Sequence, residues 1–194
     1  KIEWLPALNN PNSDKPEQRE IPFSREIWIE QDDFMEEPSK KFFRLAPGKE
    51  VRLRYAFFVT CNAVIKDEDG EIVELRCSYD PETRGGNAPD GRKVKGTIHW
   101  VSAEHAKDAE VRIYNSFYNT PSPGRERDFI EDINPNSLEV LENCKIEPDL
   151  ITLDDNVPIQ FERLGYFYKD PDTTPEKHIY NRTISLRDTW NKKL

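Results

Sequence analysis

No stretch of this sequence stays apolar for the about 20 residues that a membrane-crossing helix needs. No charged-then-apolar leader of the secretory kind opens it either. Cysteine is scarce: Cys61, Cys77 and Cys144 are odd in number, widely spaced and include no CxxC. That argues against a zinc site and against a disulfide framework, and a reduced, cytoplasmic residence with no membrane partner is the simplest reading. Stretches that read as helix are few and short. Fifteen prolines, with many β-branched and aromatic residues, instead point to short strands and frequent turns. The 194 residues are enough for a sizeable core, as one domain or two small ones. The chain opens at Lys1 in a polar, proline-containing segment, which reads as a piece of something longer.

Catalytic signatures are also missing. Gly86, Gly91 and Lys93 imitate a phosphate-binding loop, but the lysine stands one residue late and Val94 follows it. There is no HExxH, GxSxG or dinucleotide-binding glycine pattern. His99, His105 and His178 have no supporting ligand spacing, so no metal site is expected. Carboxylate pairs are abundant, yet none has the apolar surround that would tune it for acid–base work. No catalytic residue and no cofactor is therefore expected within this chain.

What is present is patterned charge. The net charge of −9 argues against a general nucleic-acid binder. Lys40, Lys41, Arg44, Lys49, Arg52 and Arg54 nevertheless face only Glu50 within residues 39–54, a local +5. Arg84, Arg92, Lys93 and Lys95 face only Asp90 within residues 84–95, a local +3. An acidic protein with basic strips suits contact with a polyanion at one defined place; an ordinary solvated surface of mixed charge would look the same.

The organising stretch is Gly91–Ser102. Val94, Ile98 and Trp100 fall on one face with Gly96 between them, and Lys93, Lys95, Thr97 and His99 on the other. Period two predicts a half-buried strand. Ile21–Ile29 alternates in the same way. Val51–Ile65 is the longest strand signal, with Arg52 and Arg54 on its outer face roughly 7 Å apart. Asp67-Glu68-Asp69-Gly70 predicts a hairpin turn, and Val73, Leu75 and Cys77 a return strand. Further strands are predicted at Glu110–Tyr118, Leu138–Cys144, Ile159–Tyr168 and His178–Leu186. A turn of helix is expected around Phe34–Glu37, and a short helix over Glu126–Ile133 before Asn134-Pro135. Residues 1–20 show no periodicity and read as a polar leader or linker, extended and partly ordered against the body. The fold class is mainly antiparallel β, for which closed barrels are one way to protect edges. Sequence alone does not separate two barrels from one sandwich.

Recognition chemistry remains. Single-stranded RNA loops are read by stacking bases on aromatic or guanidinium planes and hydrogen-bonding their edges. Lys40-Lys41-Phe42-Phe43-Arg44 holds both chemistries in five residues, although a strand edge guarded by lysines would have the same composition. Gln160 offers a paired donor and acceptor, and Glu162 can orient Arg163, though in a regular strand Gln160 and Arg163 point to opposite faces. A bulge, or a strand ending near Gly165, would be needed to bring them together.

Several blocks in one order carry a family resemblance. They are Ile21-Pro22-Phe23-Ser24-Arg25-Glu26-Ile27-Trp28, Gly48-Lys49-Glu50-Val51-Arg52-Leu53-Arg54, the Gly91–Ser102 stretch, Gln160-Phe161-Glu162-Arg163, and Leu186-Arg187-Asp188-Thr189-Trp190. From about Asn10 to Trp190 the chain resembles the C-terminal anticodon-binding region of the glutaminyl-tRNA synthetase family. The resemblance implies two β-barrels over residues 21–194, divided near 105–120 with strand exchange possible. It implies an RNA site in which Arg44 reads the third anticodon base, a guanine, while Arg52 and Arg54 meet the first base and its backbone. Gln160, Glu162 and Arg163 would form the pocket for the central uracil, with Lys41, Asn12 and Thr189 as further contacts. The partners implied are the tRNA-Gln anticodon loop and an upstream catalytic domain of a class I aminoacyl-tRNA synthetase, a monomer, which would hold ATP and Mg. The ATP-binding signatures of that catalytic domain are absent here. The chain departs from the family at Phe43 and Lys41, where a Lys and a Gln are usual, which puts those two contacts in doubt. The similar region of glutamyl-tRNA synthetases, or a structural β-barrel module with no anticodon role, are the alternative readings.

Overall fold

The computed structural model describes residues 2–186. The chain divides into two compact units, residues 1–106 and 107–194. Among the described residues every regular element is a strand or a 3₁₀ turn. The mainly β expectation holds. The expected barrels are not seen: the ladders form four separate open sheets. The strands are too short and too often interrupted by turns for one ladder to run round and close.

The first unit holds β1 (Glu3–Leu8), β2 (Gln18–Phe23), β3 (Ile27–Trp28), β4 (Glu50–Leu53), β5 (Phe58–Lys66), β6 (Ile72–Asp80), β7 (Thr97–Ile98) and β8 (Val101–Ser102). β1 pairs with β2, β3 with β8, and a four-stranded sheet runs β6-β5-β4-β7, with β4 and β7 parallel. Leu5, Leu45, Val51, Phe57, Ile98 and Trp100 form the heart of its core. The Phe23 ring packs on Phe57 and edge-on against Trp100, with centroids 5.0 and 5.3 Å away.

Several expectations are corrected here. Residues 1–20 are not only a leader, because β1 buries Leu5 and Ala7. Its alternation is masked in the sequence because Trp4, Pro6 and Leu8 are apolar too. The Val51–Ile65 run is not one strand. It turns back on itself between β4 and β5, where Tyr55 takes the left-handed conformation (φ 65°), the Leu53 N–H donates to the Phe57 carbonyl (2.8 Å) and the Ala56 N–H to the Leu53 carbonyl (2.9 Å). This tight reversal uses neither glycine nor proline. Gly91–Ser102 pairs only as the two-residue pieces β7 and β8, yet its alternation survives as burial: Gly96, Ile98 and Trp100 are inside, and Lys93 and Lys95 outside. The 3₁₀ turn before β4 falls at Gln31–Asp33 instead of Phe34–Glu37. The Asp67–Gly70 turn forms as expected, with Gly70 at φ 87° and its N–H donating to the Asp67 carbonyl (3.1 Å).

The second unit is a five-stranded sheet in the order β10-β9-β13-β12-β11. Its strands are β9 (Lys107–Tyr114), β10 (Leu138–Ile146), β11 (Ile159–Phe161), β12 (Gly165–Lys169) and β13 (His178–Ser185). β9 and β13 are parallel and the other neighbours antiparallel. Ala109, Val111, Ile146, Ile159, Phe167 and Tyr180 form its core. The helix expected over Glu126–Ile133 is a single 3₁₀ turn, Phe129–Asp132, capped by the Asp128 side chain accepting from the Ile130 N–H. Acidic residues in that short segment suit a capped turn better than a longer helix. The Ile159–Tyr168 run is again two strands, with a reversal at Glu162–Leu164.

Candidate nucleic-acid interface

In the first unit the segment Lys40–Arg44 crosses from the 3₁₀ turn toward β4. Phe42 is its anchor, 2% exposed. Phe43 points outward at 49% exposure, with the Lys95 ammonium 5.0 Å from its ring centroid. A cation over an aromatic face is attracted by the ring quadrupole, so an open aromatic plane and a positive charge stand side by side. Lys40 and Lys41 flank it, both exposed. Gly96 underlies the segment so closely that a Cβ there would lie 1.8 Å from the Phe43 carbonyl oxygen.

Arg44 is held more firmly than the sequence suggests. Its Nη1 donates to the Asp32 carbonyl at 3.1 Å, and its Nε lies 3.5 Å from Oδ1 of Asp33, whose carboxylate is fully buried. The guanidinium keeps only part of its surface for another ligand.

Arg52 and Arg54 do not share one face of a straight strand. Arg52 is on β4, with its guanidinium over the Phe58 ring at 5.4 Å. Its Nε is buried and meets no hydrogen-bond acceptor among the described residues. Arg54 sits in the reversal, over the Tyr55 ring at 5.3 Å, with its carbonyl accepting from Trp100 Nε1 at 3.0 Å. Arg52, Asn87, Arg92 and Lys93 line an open pocket of about 340 Å³.

Arg92 is the residue that sequence reasoning undervalued. Its guanidinium donates to Glu50 (3.0 and 3.1 Å), to Asp90 (2.6 Å) and to Asp80, and lies over the Phe58 ring at 5.4 Å from its centroid. These hydrogen bonds hold Arg92 firmly protonated. Its side chain holds the Asp80 carboxyl below the usual aspartate range, and its backbone N–H and side chain do the same for Asp90. Arg84 is likewise engaged, by Glu3 at 2.6 Å. The local +3 of residues 84–95 is thus largely answered in space by carboxylates from elsewhere, leaving Lys93 and Lys95 as its outward cations. The Asp90-Gly91-Arg92 turn was the one local signal for part of this cluster.

In the second unit Gln160 is exposed on β11, directly across from the exposed Tyr166 of β12. The strand ends at Phe161, so Glu162 and Arg163 belong to the reversal and not to a bulged strand. Arg163 is itself left-handed (φ 64°), and the Leu164 N–H closes the turn on the Phe161 carbonyl (3.0 Å). Asn12 is exposed in the β1–β2 loop, its N–H bonded to Asn10 Oδ1 (3.0 Å). Thr189 lies outside the described residues. Within each unit the sequence-predicted residues therefore fall into local groups: Lys41, Arg44 and Phe43 in one segment, Arg52 and Arg54 about a hairpin, and Gln160, Glu162 and Arg163 about another.

Cations, aromatic planes and amides of this kind can bind and orient an anionic, base-bearing ligand. Among the described residues no group of three or more His, Cys, Asp or Glu side chains is placed to hold a metal. The chain belongs to the anti-codon binding domain family of the class I (E and Q) tRNA synthetases, with matches over residues 1–80 and 97–170. Within that family it is similar to glutamine–tRNA ligases. The ligase of Bradyrhizobium diazoefficiens is 57% identical over 194 residues, covering 100% of this chain and 35% of the relative. That of Nitrobacter winogradskyi is 54% identical over 190 residues (98% and 34%), and that of Aliivibrio fischeri 51% over 191 residues (98% and 34%). The chain spans about a third of the length of these curated relatives.

Proposed function

We propose that this chain holds the anticodon loop of tRNA-Gln, with a CUG or UUG anticodon unstacked and read by base-edge and phosphate contacts. The observation that carries the reading is the outward pairing of Phe43 with Lys95 beside Lys41 and the partly exposed Arg44, in a chain of this family. Stacking on an exposed aromatic and neutralising nearby phosphates is the chemistry that single-stranded RNA requires.

In this reading Arg44 recognises guanine at the third position and Arg52 and Arg54 serve the first base and its backbone. Gln160, with Glu162 and Arg163, takes the central uracil; Lys41, Asn12 and Thr189 assist. An upstream catalytic domain of the parent, a cytoplasmic, monomeric class I synthetase, would use ATP and Mg to charge the tRNA with glutamine. Without that domain the chain binds the loop weakly and carries out no reaction.

The test is fluorescence anisotropy of the chain with a tRNA-Gln anticodon stem-loop at low salt, against a loop whose central uracil is replaced. Preference for the true loop is expected, with affinity falling steeply as salt rises because bound phosphates release counterions. Equal binding of both loops would reduce the chain to a source of positive charge and sink the assignment of Gln160.

A further inference from the structure

The three cysteines are far apart in the sequence, but two of them meet in the fold. β5 and β6, joined by the Asp67–Gly70 turn, set Cys61 directly opposite Cys77. Opposed residues of an antiparallel ladder alternate between pairs that exchange two hydrogen bonds and pairs that exchange none. Three hydrogen bonds made by its backbone groups fix the phase along β5. The Phe57 carbonyl accepts from Leu53 on the β4 side (2.8 Å). The Phe58 N–H turns the other way, to Thr83 Oγ1 just beyond the end of β6 (2.8 Å). Continuing the alternation, Cys61 faces its backbone away from β6, and its carbonyl accepts instead from the Gly48 N–H (2.8 Å). Cys61 and Cys77 are therefore a pair without mutual backbone bonds, the kind in which side chains come closest, with Cα atoms about 4.5 Å apart. That lies inside the range of roughly 4.4–6.8 Å that a disulfide spans. Both are free thiols, Cys61 buried in the core and Cys77 at the surface.

We propose that Cys61 and Cys77 form a modification site, a cross-strand disulfide made when the protein meets a peroxide. The sulfur of Cys77, the exposed residue of the pair, takes an oxygen from the peroxide: an S–O bond forms, the O–O bond breaks and water leaves. The Cys61 sulfur then attacks the Cys77 sulfur: the S–S bond forms, the S–O bond breaks and a second water carries off the oxygen with the remaining thiol proton. The two thiols lose two electrons, and the peroxide is reduced by two. Although Cys77 is exposed as a residue, desolvation at its sulfur, with the neighbouring Cys61, pushes its thiol up to about 12; desolvation raises that of Cys61 as well. Thiolate is therefore scarce at neutral pH, and the reaction answers sustained oxidant in place of a brief trace. The product ties the two arms of a long hairpin inside the sheet that carries Arg52.

The test treats the 194-residue chain, in a Cys144→Ser background, with excess hydrogen peroxide. The expected product is monomeric, lighter by two hydrogens, yields a Cys61–Cys77 linked peptide on digestion, and reverts with dithiothreitol. Its melting temperature should rise by about 5 °C or more. Cys77→Ser, at an exposed position that the fold tolerates, should abolish the mass loss. Oxygen addition to Cys77 without a link, a disulfide-bonded dimer, or loss of two hydrogens in the Cys77→Ser chain would each overturn the proposal.

Discussion

Gly96→Ala tests the most restrictive contact in the first unit. A Cβ at this position would lie 1.8 Å from the Phe43 carbonyl oxygen, 3.0 Å from the Phe43 carbonyl carbon and 3.3 Å from Val51 Cγ1. Non-bonded heavy atoms rest about 3.5–4.0 Å apart, so backbone on one side must move by more than an ångström. Neither side yields easily. The Gly96 carbonyl accepts from the Arg52 N–H at 2.9 Å, and Phe42, next to the clash, is locked in the core. Gly96 is not among the residues with positive φ, so the whole cost is steric. Overpacking costs about 1–3 kcal/mol when side chains can adjust; with backbone as the obstacle the upper end, about 3 kcal/mol, applies. For a unit of this size that lowers the melting temperature by roughly 10–20 °C. Gly70→Ala is the comparison: nothing lies within 4 Å, but φ is 87°, so only the left-handed penalty of about 1 kcal/mol remains. Calorimetry and urea unfolding of both variants read the difference. If Gly96→Ala melts no lower than Gly70→Ala, the close approach to Phe43 does not exist in solution. If it melts as expected, stem-loop binding below the transition should weaken as well, because the displaced segment carries Phe43 and Arg44.

Three further outcomes are expected. Arg44→Ala should cost about 2 kcal/mol of stability in urea, since the buried Asp33 loses a cation. It should also relax discrimination at the third anticodon base by roughly 1–3 kcal/mol, read with matched and substituted stem-loops. Phe43→Ala should leave the unfolding free energy from urea titration within about 0.5 kcal/mol, because the ring is half exposed, yet weaken loop binding by roughly 1–3 kcal/mol if a base stacks there; equal binding would refute the stacking role. The Asp80 and Asp90 carboxyls, which Arg92 holds below the ordinary value of 3.8, stabilise the fold above their unfolded-state value and cease to as pH falls through the lowered one. Urea midpoints should therefore fall below about pH 4, and Arg92→Ala should show a shallower acid-side decline.

Much of the fold was legible because period two survives in burial even where the ladder does not. Ile98 and Trp100 turn inward as the alternation of Gly91–Ser102 predicts, although only Thr97–Ile98 and Val101–Ser102 pair as strands. The two reversals were hidden for a shared reason. At Tyr55 and Arg163 the chain takes left-handed backbone without glycine; no turn residue marks the first place, and only Gly165, two residues on, marks the second. The Lys40–Arg44 segment was legible as cations beside aromatics. That Phe42 rather than Phe43 would be the buried member was not, because adjacent identical side chains carry no local sign of direction. Arg92 was the largest miss. Glu50 and Asp80 reach it from positions distant in sequence, and a window of net charge cannot count what folding brings in.

The edge formed by β6 has a consequence for how copies of this chain meet. Among the described strands β6 has a neighbour on one side only, it is nine residues long, and Ile72 and Val73 are exposed on it. A straight edge of that length would offer a second chain a row of open donors and acceptors. Here the pairing with β5 slips twice, between Cys61 and Ala63 and between Ile65 and Lys66. Glu74 and Arg76 place paired charges in the middle of the edge, 2.9 Å apart. The twist that such irregularities add, together with that fixed ion pair, makes this border a poor template for fibrous growth despite its apolar end.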